Sequence, residues 1–304
     1  MLGPVLGVGE RVSPWLTPKG IPAAELQSAQ AQTEELDQAG LAQFRVNFPL
    51  SYIGKDSDPT SNIAMIYGIR TYGGVDSVLN PEMARFATSF VPESPDWIMP
   101  FGLSNVVKEP RFLDLMGVRY DFGGGPRIRP NALPRVALFE GFEIAEGFEA
   151  QLARLKDSAF DYTTRVVLDR SPGWNPQPST QPSRFEPVAY AQISTSHIRL
   201  KKTVQRPSIL LFNDSFAPDW HAYRNGVPTP IVRANAHFMA IVLPVGNSDV
   251  DFQYDPTMFY LLAKISLATS VLFGAVWIWY MLVFRRRPSR AAGGEPVVSS
   301  TSAP

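Results

Sequence analysis

The sequence predicts an α+β protein in which a small α/β subdomain is followed by an antiparallel β-sandwich and one C-terminal transmembrane helix. Segments typical of strand, helix and strand follow one another over residues 134–170. Short apolar segments at close spacing occupy residues 189–254, a pattern typical of a sandwich. Residues 258–284 form a run of about 27 mostly apolar residues, longer than the roughly 20 that a helix needs to cross a bilayer.

The composition excludes several classes of function. The 304 residues include 28 basic and 28 acidic side chains, so the net charge is zero and no nucleic-acid partner is expected. The chain has no cysteine, which excludes disulfides, cysteine-ligated zinc, iron–sulfur clusters and thiol nucleophiles. The three histidines form no metal-binding spacing, so the sequence predicts neither a metal nor another cofactor.

The chain is expected to divide into six segments. In order they are a weakly structured N-terminal segment (1–40), the α/β extracytoplasmic subdomain (41–170), a proline-rich linker (171–187), the β-sandwich (188–257), the transmembrane helix (258–284) and a cytoplasmic tail (285–304). The linker is placed at 171–187 because it holds five prolines, which cannot donate to a sheet ladder.

The subdomain is expected to contain short elements of both kinds. Strands are predicted over 44–50, 134–145 and 163–170, helices over 81–90 and 146–157, and a helix end running into a strand over 112–122. Pro81 suits the first turn of its helix. The order strand, helix, strand over 134–170 predicts a βαβ unit.

The sandwich is expected to consist of about six strands. They are predicted within 189–204, 208–216, 220–234, 238–246 and 249–254. Asn225 and Gly226 form a hairpin signal inside the third of these segments, which therefore holds two strands.

Charges on the two sides of the apolar run predict its orientation in a membrane. Arg285, Arg286 and Arg287 follow it directly, whereas the twenty residues before it carry three aspartates and no Lys or Arg. The positive-inside rule then places the tail in the cytoplasm and everything before Met258 outside, with the lipid bilayer as a partner. The three arginines could also contact anionic lipid headgroups. The alternative is a tail-anchored protein with a cytosolic main domain.

The predicted orientation requires translocation of the residues before the span. The first residues show neither a basic region nor the apolar core of a signal peptide. The hypothesis that follows is that the chain is the C-terminal piece of a longer polytopic membrane protein, whose upstream membrane helices would be its partners.

One stretch carries a family resemblance through the order and spacing of its residues. The matching positions are Pro218 and Trp220 after a strand, Asn225 and Gly226 in a turn, Pro244 and Gly246 after a second strand, and Tyr254 with Pro256 before the apolar run. In this order residues 212–256 resemble the C-terminal part of bacterial YfhO-like integral membrane proteins. Upstream segments such as 44–46, 113–120 and 131–136 also follow the family's order, so the resemblance spans about residues 44–287.

The resemblance implies a fold and a setting for the chain. YfhO-like proteins are polytopic and are regarded as GT-C type glycosyltransferases whose last extracytoplasmic region ends in a β-sandwich. The catalytic acidic residue of GT-C enzymes lies on an early loop that has no counterpart in this sequence. The resemblance therefore implies part of a sugar-transfer machine of the cell envelope and carries no catalytic residue onto this chain.

Two sets of polar and aromatic residues are candidates for glycan binding. The first set is Asp214, Asp219, Trp220, His221 and Tyr223. Its rings could stack on a sugar face while its carboxylates accept hydrogen bonds from the sugar hydroxyls. The alternative for this set is a core tryptophan beside solvated turn residues. The second set, Asn62, Tyr67 and Asp76, lies in a glycine-rich stretch, and turn formation is its alternative explanation.

The sequence favours a membrane-anchored extracytoplasmic module that positions a lipid-linked sugar or a cell-envelope glycan and does not itself catalyse its transfer. The alternative is a non-enzymatic, membrane-anchored β-sandwich scaffold for protein–protein contacts. A free-standing hydrolase has no supporting motif, since no Gly-x-Ser-x-Gly sequence occurs.

Overall fold

The computed structural model describes residues 43–47, 70–71, 81–90, 109–121, 127–174 and 183–284. The chain divides into two compact units, Met1–Asp255 and Pro256–Pro304, and each is described by itself. The described helices of the first unit are α1 (Pro81–Ser89), α2 (Pro110–Leu115) and α3 (Phe148–Lys156). Pro81 opens α1, and the Glu109 side chain caps α2 by accepting a hydrogen bond from the Phe112 N–H.

The described strands of the first unit form three sheets. The smallest contains β1 (Arg45–Asn47), β2 (Val118–Asp121) and β3 (Arg127–Ile128), in that order. β1 is parallel to β2, and β2 is antiparallel to β3. The helix α2 therefore leads directly into a strand, as the sequence predicted for 112–122.

The largest sheet has seven strands. They are β4 (Val136–Phe139), β5 (Gly141–Ile144), β6 (Arg165–Leu168), β7 (Glu186–Pro187), β10 (Ser208–Phe212), β13 (Val232–Ala234) and β14 (Phe238–Leu243). Their order is β5-β6-β13-β14-β10-β4-β7. β5 and β6 are parallel and α3 connects them, which confirms the predicted βαβ unit. The single strand predicted over 134–145 is instead two strands, β4 and β5, which break at Glu140 and lie apart in the sheet.

The third sheet has five antiparallel strands. They are β8 (Ala191–Ser194), β9 (His197–Val204), β11 (Trp220–Arg224), β12 (Val227–Thr229) and β15 (Gly246–Tyr254). Their order is β12-β11-β15-β9-β8. Asn225 and Gly226 both have positive φ, 53° and 77°, and join β11 to β12 in the predicted hairpin.

The core formed by the described residues contains two apolar clusters on opposite faces of the seven-stranded sheet. Ile209 and Leu211 point to the cluster that includes α1, α2 and α3, whereas Leu210 and Phe212 point to the cluster shared with the five-stranded sheet. All five residues of β10 are buried, because its alternate side chains enter both clusters. The predicted combination of α/β structure with an antiparallel sandwich is therefore present.

The seven-stranded sheet contains strands from both the predicted α/β subdomain (41–170) and the predicted β-sandwich (188–257). β4, β5 and β6, from the segment predicted as a subdomain, lie in the same sheet as β10, β13 and β14. β7 lies inside the predicted linker and pairs with β4, with Pro187 opposite Ala137. Pro187 is tolerated because β7 is the edge strand of this sheet. Strands within 136–168 and within 208–243 thus share one sheet.

The second unit contains one described helix, α4 (Thr257–Phe284). Its 28 residues extend about 42 Å at 1.5 Å per residue, none of its side chains is buried, and Lys264 is its one charged residue. Thr269 and Ser270 donate their hydroxyls to carbonyls one turn earlier in the helix. The predicted span is therefore present as a helix long and apolar enough to cross a membrane.

Candidate functional site

A groove of about 400 Å³ lies beside the first residues of β11. It forms because the pairing of β12 with β11 ends at Thr229 opposite Ala222, after which the chain leaves for the seven-stranded sheet. The lining residues come from three neighbouring segments of the chain. They are Phe216, Ala217, Pro218, Trp220, His221, Ala222, Tyr223, Pro228, Thr229, Pro230 and Ile231.

The groove brings together three of the five residues in the first candidate set. Trp220, His221 and Tyr223 line it, with His221 exposed and the other two half-buried. Successive side chains of a strand alternate between faces, so Trp220 lies on the side of buried Ala222 and His221 lies on the side of Tyr223. The groove thus draws on both faces of β11 at the sheet edge.

Trp220 serves the core and the groove together. Its ring packs edge-on against Phe212, with 5.3 Å between centroids, and lies tilted against Tyr254, with 5.4 Å between centroids. These contacts attach it to the apolar cluster between the two larger sheets. Trp220 is therefore partly a core tryptophan, as in the alternative given for this set, and it also forms one side of the groove.

Asp214 is held in a cluster of arginines and does not line the groove. Its Oδ1 lies 2.9 Å from Nη2 of both Arg45 and Arg70, and its Oδ2 lies 2.8 Å from Nη2 of Arg135. Burial raises the pKa of Asp214, and the three positive charges outweigh it, so the pKa of this carboxyl lies below its usual value. Asp214 therefore connects three distant segments as an ionised group.

The other predicted site residues are placed as follows. Asp219 is half-buried and is not among the groove residues, and its backbone carbonyl accepts a hydrogen bond from Asp255 N–H at 2.9 Å. Asn62, Tyr67 and Asp76 lie outside the described residues. Arg285, Arg286 and Arg287 also lie outside them.

A Ser–His pair near the groove was not predicted from the sequence. Ser215 Oγ lies 2.9 Å from His237 Nε2, and the His237 ring is fully buried and stacks on Phe86 at 5.7 Å. Within the part of the chain that the structure describes, the buried Nδ1 of His237 has no hydrogen-bond partner. Burial lowers the pKa of His237 to about 4, so the imidazole is neutral near pH 7. This environment suits core packing better than general-base catalysis, which needs a pKa near the working pH.

We expect the free energy of unfolding to fall as the pH drops from about 6.5 towards 4. The unfolded chain takes up a proton on His237 near its ordinary pKa of 6.5, whereas the folded chain does so only near 4. The full loss is about 3 kcal/mol, from about 1.4 kcal/mol per pKa unit. Urea unfolding at several pH values between 4 and 7 gives the free energy of unfolding as a function of pH. The slope of this dependence on pH should be smaller for His237→Gln than for the wild type, and the exposed His221→Gln should keep the wild-type slope. Equal slopes for all three proteins would refute this assignment.

No metal-binding group is present in the described part of the chain. Within residues 43–47, 70–71, 81–90, 109–121, 127–174 and 183–284, no three His, Asp or Glu side chains are placed to hold a metal ion.

Comparison with known proteins found two structural similarities, both to mycobacterial arabinofuranosyltransferase AftD. One AftD chain is 17% identical with a TM-score of 0.22, and the match covers 25% of this chain and 6% of that chain. A mutant AftD chain is 18% identical with a TM-score of 0.26, over 33% of this chain and 8% of that chain. The chain therefore spans less than a tenth of the length of these proteins. No family model and no curated protein matches it.

Proposed function

We propose that the chain is a membrane-anchored glycan-binding module that holds a sugar substrate on the extracytoplasmic side for a membrane glycosyltransferase. The observation that carries this proposal is the groove beside β11, which Trp220 lines from the core side of the strand and His221 and Tyr223 line from its outer side. The resemblance of residues 212–256 to YfhO-like proteins supports the association with a transferase.

The chemistry of the groove fits a sugar. Sugar rings offer apolar C–H faces and hydroxyl edges, which aromatic rings and hydrogen-bonding groups recognise together. Tyr223 supplies both a ring and a hydroxyl, and His221 supplies an exposed imidazole. Pro218, Pro228 and Pro230 restrict the backbone of the walls, so binding would order little additional structure.

The groove supports a positioning role in preference to bond cleavage. Glycoside hydrolysis usually employs two carboxylates on either side of the scissile bond. None of the described residues that line the groove is an Asp or Glu. The side chains there can stack and hydrogen-bond, which is sufficient to hold a sugar in place.

The helix α4 supports the membrane part of the proposal. An apolar helix of 28 residues with no buried side chain needs an apolar environment other than this chain's own core. Arg285, Arg286 and Arg287 follow it in the sequence, and the positive-inside rule assigns that end to the cytoplasm. The groove would then lie on the outer side, where cell-envelope glycans are assembled.

A glycan array probed with the full chain in detergent micelles tests this proposal. We expect the wild type to bind one class of bacterial cell-envelope glycan, and Tyr223→Ala and His221→Ala to bind it at least about tenfold more weakly through lost stacking and hydrogen bonds. Val227→Ala is the matched control, because Val227 is 64% exposed on β12 and does not line the groove. A folded wild type that binds no glycan would contradict the proposal and favour the scaffold for protein contacts.

A further inference from the structure

We propose that the sugar-binding surface continues from the groove across the outer face of the five-stranded sheet, where Asp251, His197 and Arg199 form a second subsite. The ligand is then an oligosaccharide that spans three strands. This inference rests on the proposed function and specifies the size of the glycan.

Strand register places the two subsites on one face. Tyr223 on β11 lies opposite Asp251 on β15, which lies opposite Arg199 on β9. In the neighbouring row, Gln253 lies between His221 and His197. Directly paired residues of a sheet project to the same side, so these side chains share a face with the groove residues His221 and Tyr223.

The intervening residues confirm which face this is. Ala222, Phe252 and Ile198, which alternate with the residues of the subsite, are 3%, 0% and 0% exposed and belong to the core cluster between the sheets. The face that carries Asp251 is therefore turned away from the core. Neighbouring strands lie about 4.8 Å apart, so the distance from β11 to β9 is about 10 Å.

Asp251 is held in a fixed position. Its Oδ1 lies 2.6 Å from His197 Nε2 and 2.8 Å from Arg199 Nε. The Asp251 side chain is 14% exposed and the Arg199 side chain is 49% exposed. Burial raises the pKa of Asp251, and the hydrogen bonds from His197 and Arg199 outweigh it, so the pKa lies below its usual value and the carboxylate is ionised near neutral pH.

The subsite has hydrogen-bonding capacity that the protein does not use. Among the described residues, both side-chain hydrogen bonds to Asp251 go to Oδ1, and Arg199 donates its bond from Nε. Asp251 Oδ2 and both Arg199 Nη groups are therefore left for a ligand. An acceptor beside fixed donors matches two adjacent hydroxyls of a sugar, one donating and one accepting. Charge-assisted bonds of this kind are among the stronger ones in binding sites.

The alternative for this cluster is an ordinary surface ion pair, and it makes a different prediction. Exposed ion pairs contribute only about 0–1 kcal/mol to stability. Asp251→Asn and Arg199→Gln should then leave glycan affinity unchanged and shift the unfolding midpoint only slightly. A binding role requires affinity to fall while folding is retained.

The test is the affinity of the full chain in detergent for oligomers of glucose, galactose and N-acetylglucosamine, from monomers to hexamers. We expect the wild-type affinity for the recognised sugar to rise with oligomer length. Asp251→Asn and Arg199→Gln should each bind the longer oligomers about tenfold more weakly than the wild type, while their affinity for the monomer is unchanged. Glu143→Gln and Arg165→Gln are the matched controls. They make the same kinds of change in another ion pair, whose arginine is 48% exposed and which lies outside the five-stranded sheet.

The outcomes separate the inference from the proposed function. Full length-dependent affinity in both Asp251→Asn and Arg199→Gln would overturn the second subsite, and the groove would stand if Tyr223→Ala still loses binding. A wild type that binds none of these oligomers and no glycan on the array would contradict the proposed function and the inference together. Far-UV circular dichroism checks that each variant is folded. If Asp251→Asn does not fold, Arg199→Gln still tests the subsite, because Arg199 is half-exposed.

Discussion

Asp214→Ala should lower the free energy of unfolding by about 3–5 kcal/mol, the cost of removing one partner from a buried ion pair. Asp214 is the carboxylate that Arg45, Arg70 and Arg135 share. Desolvation, followed by the charge of Arg70, already lowers the pKa of Arg45 to about 10 with Asp214 present. Without the carboxylate, three guanidinium groups would repel one another in a mostly buried region.

Urea unfolding of the full chain in detergent, followed by far-UV circular dichroism, measures this effect. Asp219→Ala is the matched control, since Asp219 is a half-buried aspartate of the same loop and should change stability by no more than about 0.5 kcal/mol. A loss below about 1 kcal/mol for Asp214→Ala would show that the arginine cluster does not hold the three segments together.

Trp220→Ala should lower the free energy of unfolding by about 3 kcal/mol, in the range of large-to-small substitutions in cores. The ring contacts Phe212 and Tyr254, so its removal leaves a cavity between the two larger sheets. Trp220→Phe should recover most of the loss, because it keeps an aromatic ring at this position. Stability unchanged in Trp220→Ala would mean that the ring belongs to the groove alone.

Local patterns were sufficient to predict much of the fold. The βαβ unit of 134–170, the hairpin at Asn225 and Gly226 and the apolar helix all depend on residues that are close in sequence. The junction across 171–187 was not predictable in this way. It depends on β4 pairing with β10, about 70 residues later, and a two-faced apolar strand such as β10 does not indicate which strands flank it.

The candidate site was predictable to a similar extent. Trp220, His221 and Tyr223 are neighbours on one strand, so their association was visible in the sequence. Asp251 and His197 are 54 residues apart and meet only through the register of β9 and β15. The alternation of polar and apolar residues in each strand predicts an outer face, but it does not identify the residues that lie opposite one another.

Asp214 shows the same limit for charged residues. Arg45, Arg70 and Arg135 are far apart in sequence and resemble ordinary surface arginines, so nothing local indicates that they share one carboxylate. An aspartate after an apolar strand is equally typical of a solvated turn or a ligand-binding loop. Its role in the fold became visible only from the three-dimensional arrangement.

The most direct test of the proposed function is the side of the membrane on which the five-stranded sheet lies, since the proposed ligands are glycans outside the cytoplasmic membrane. The sequence contains no cysteine, so one cysteine at exposed Asn247 can be labelled with a membrane-impermeant maleimide in intact cells. Asn247→Cys should be labelled without lysis, whereas Ser299→Cys in the C-terminal tail should be labelled only after lysis. The opposite pattern would place the groove and Asp251 in the cytoplasm and contradict the proposed function.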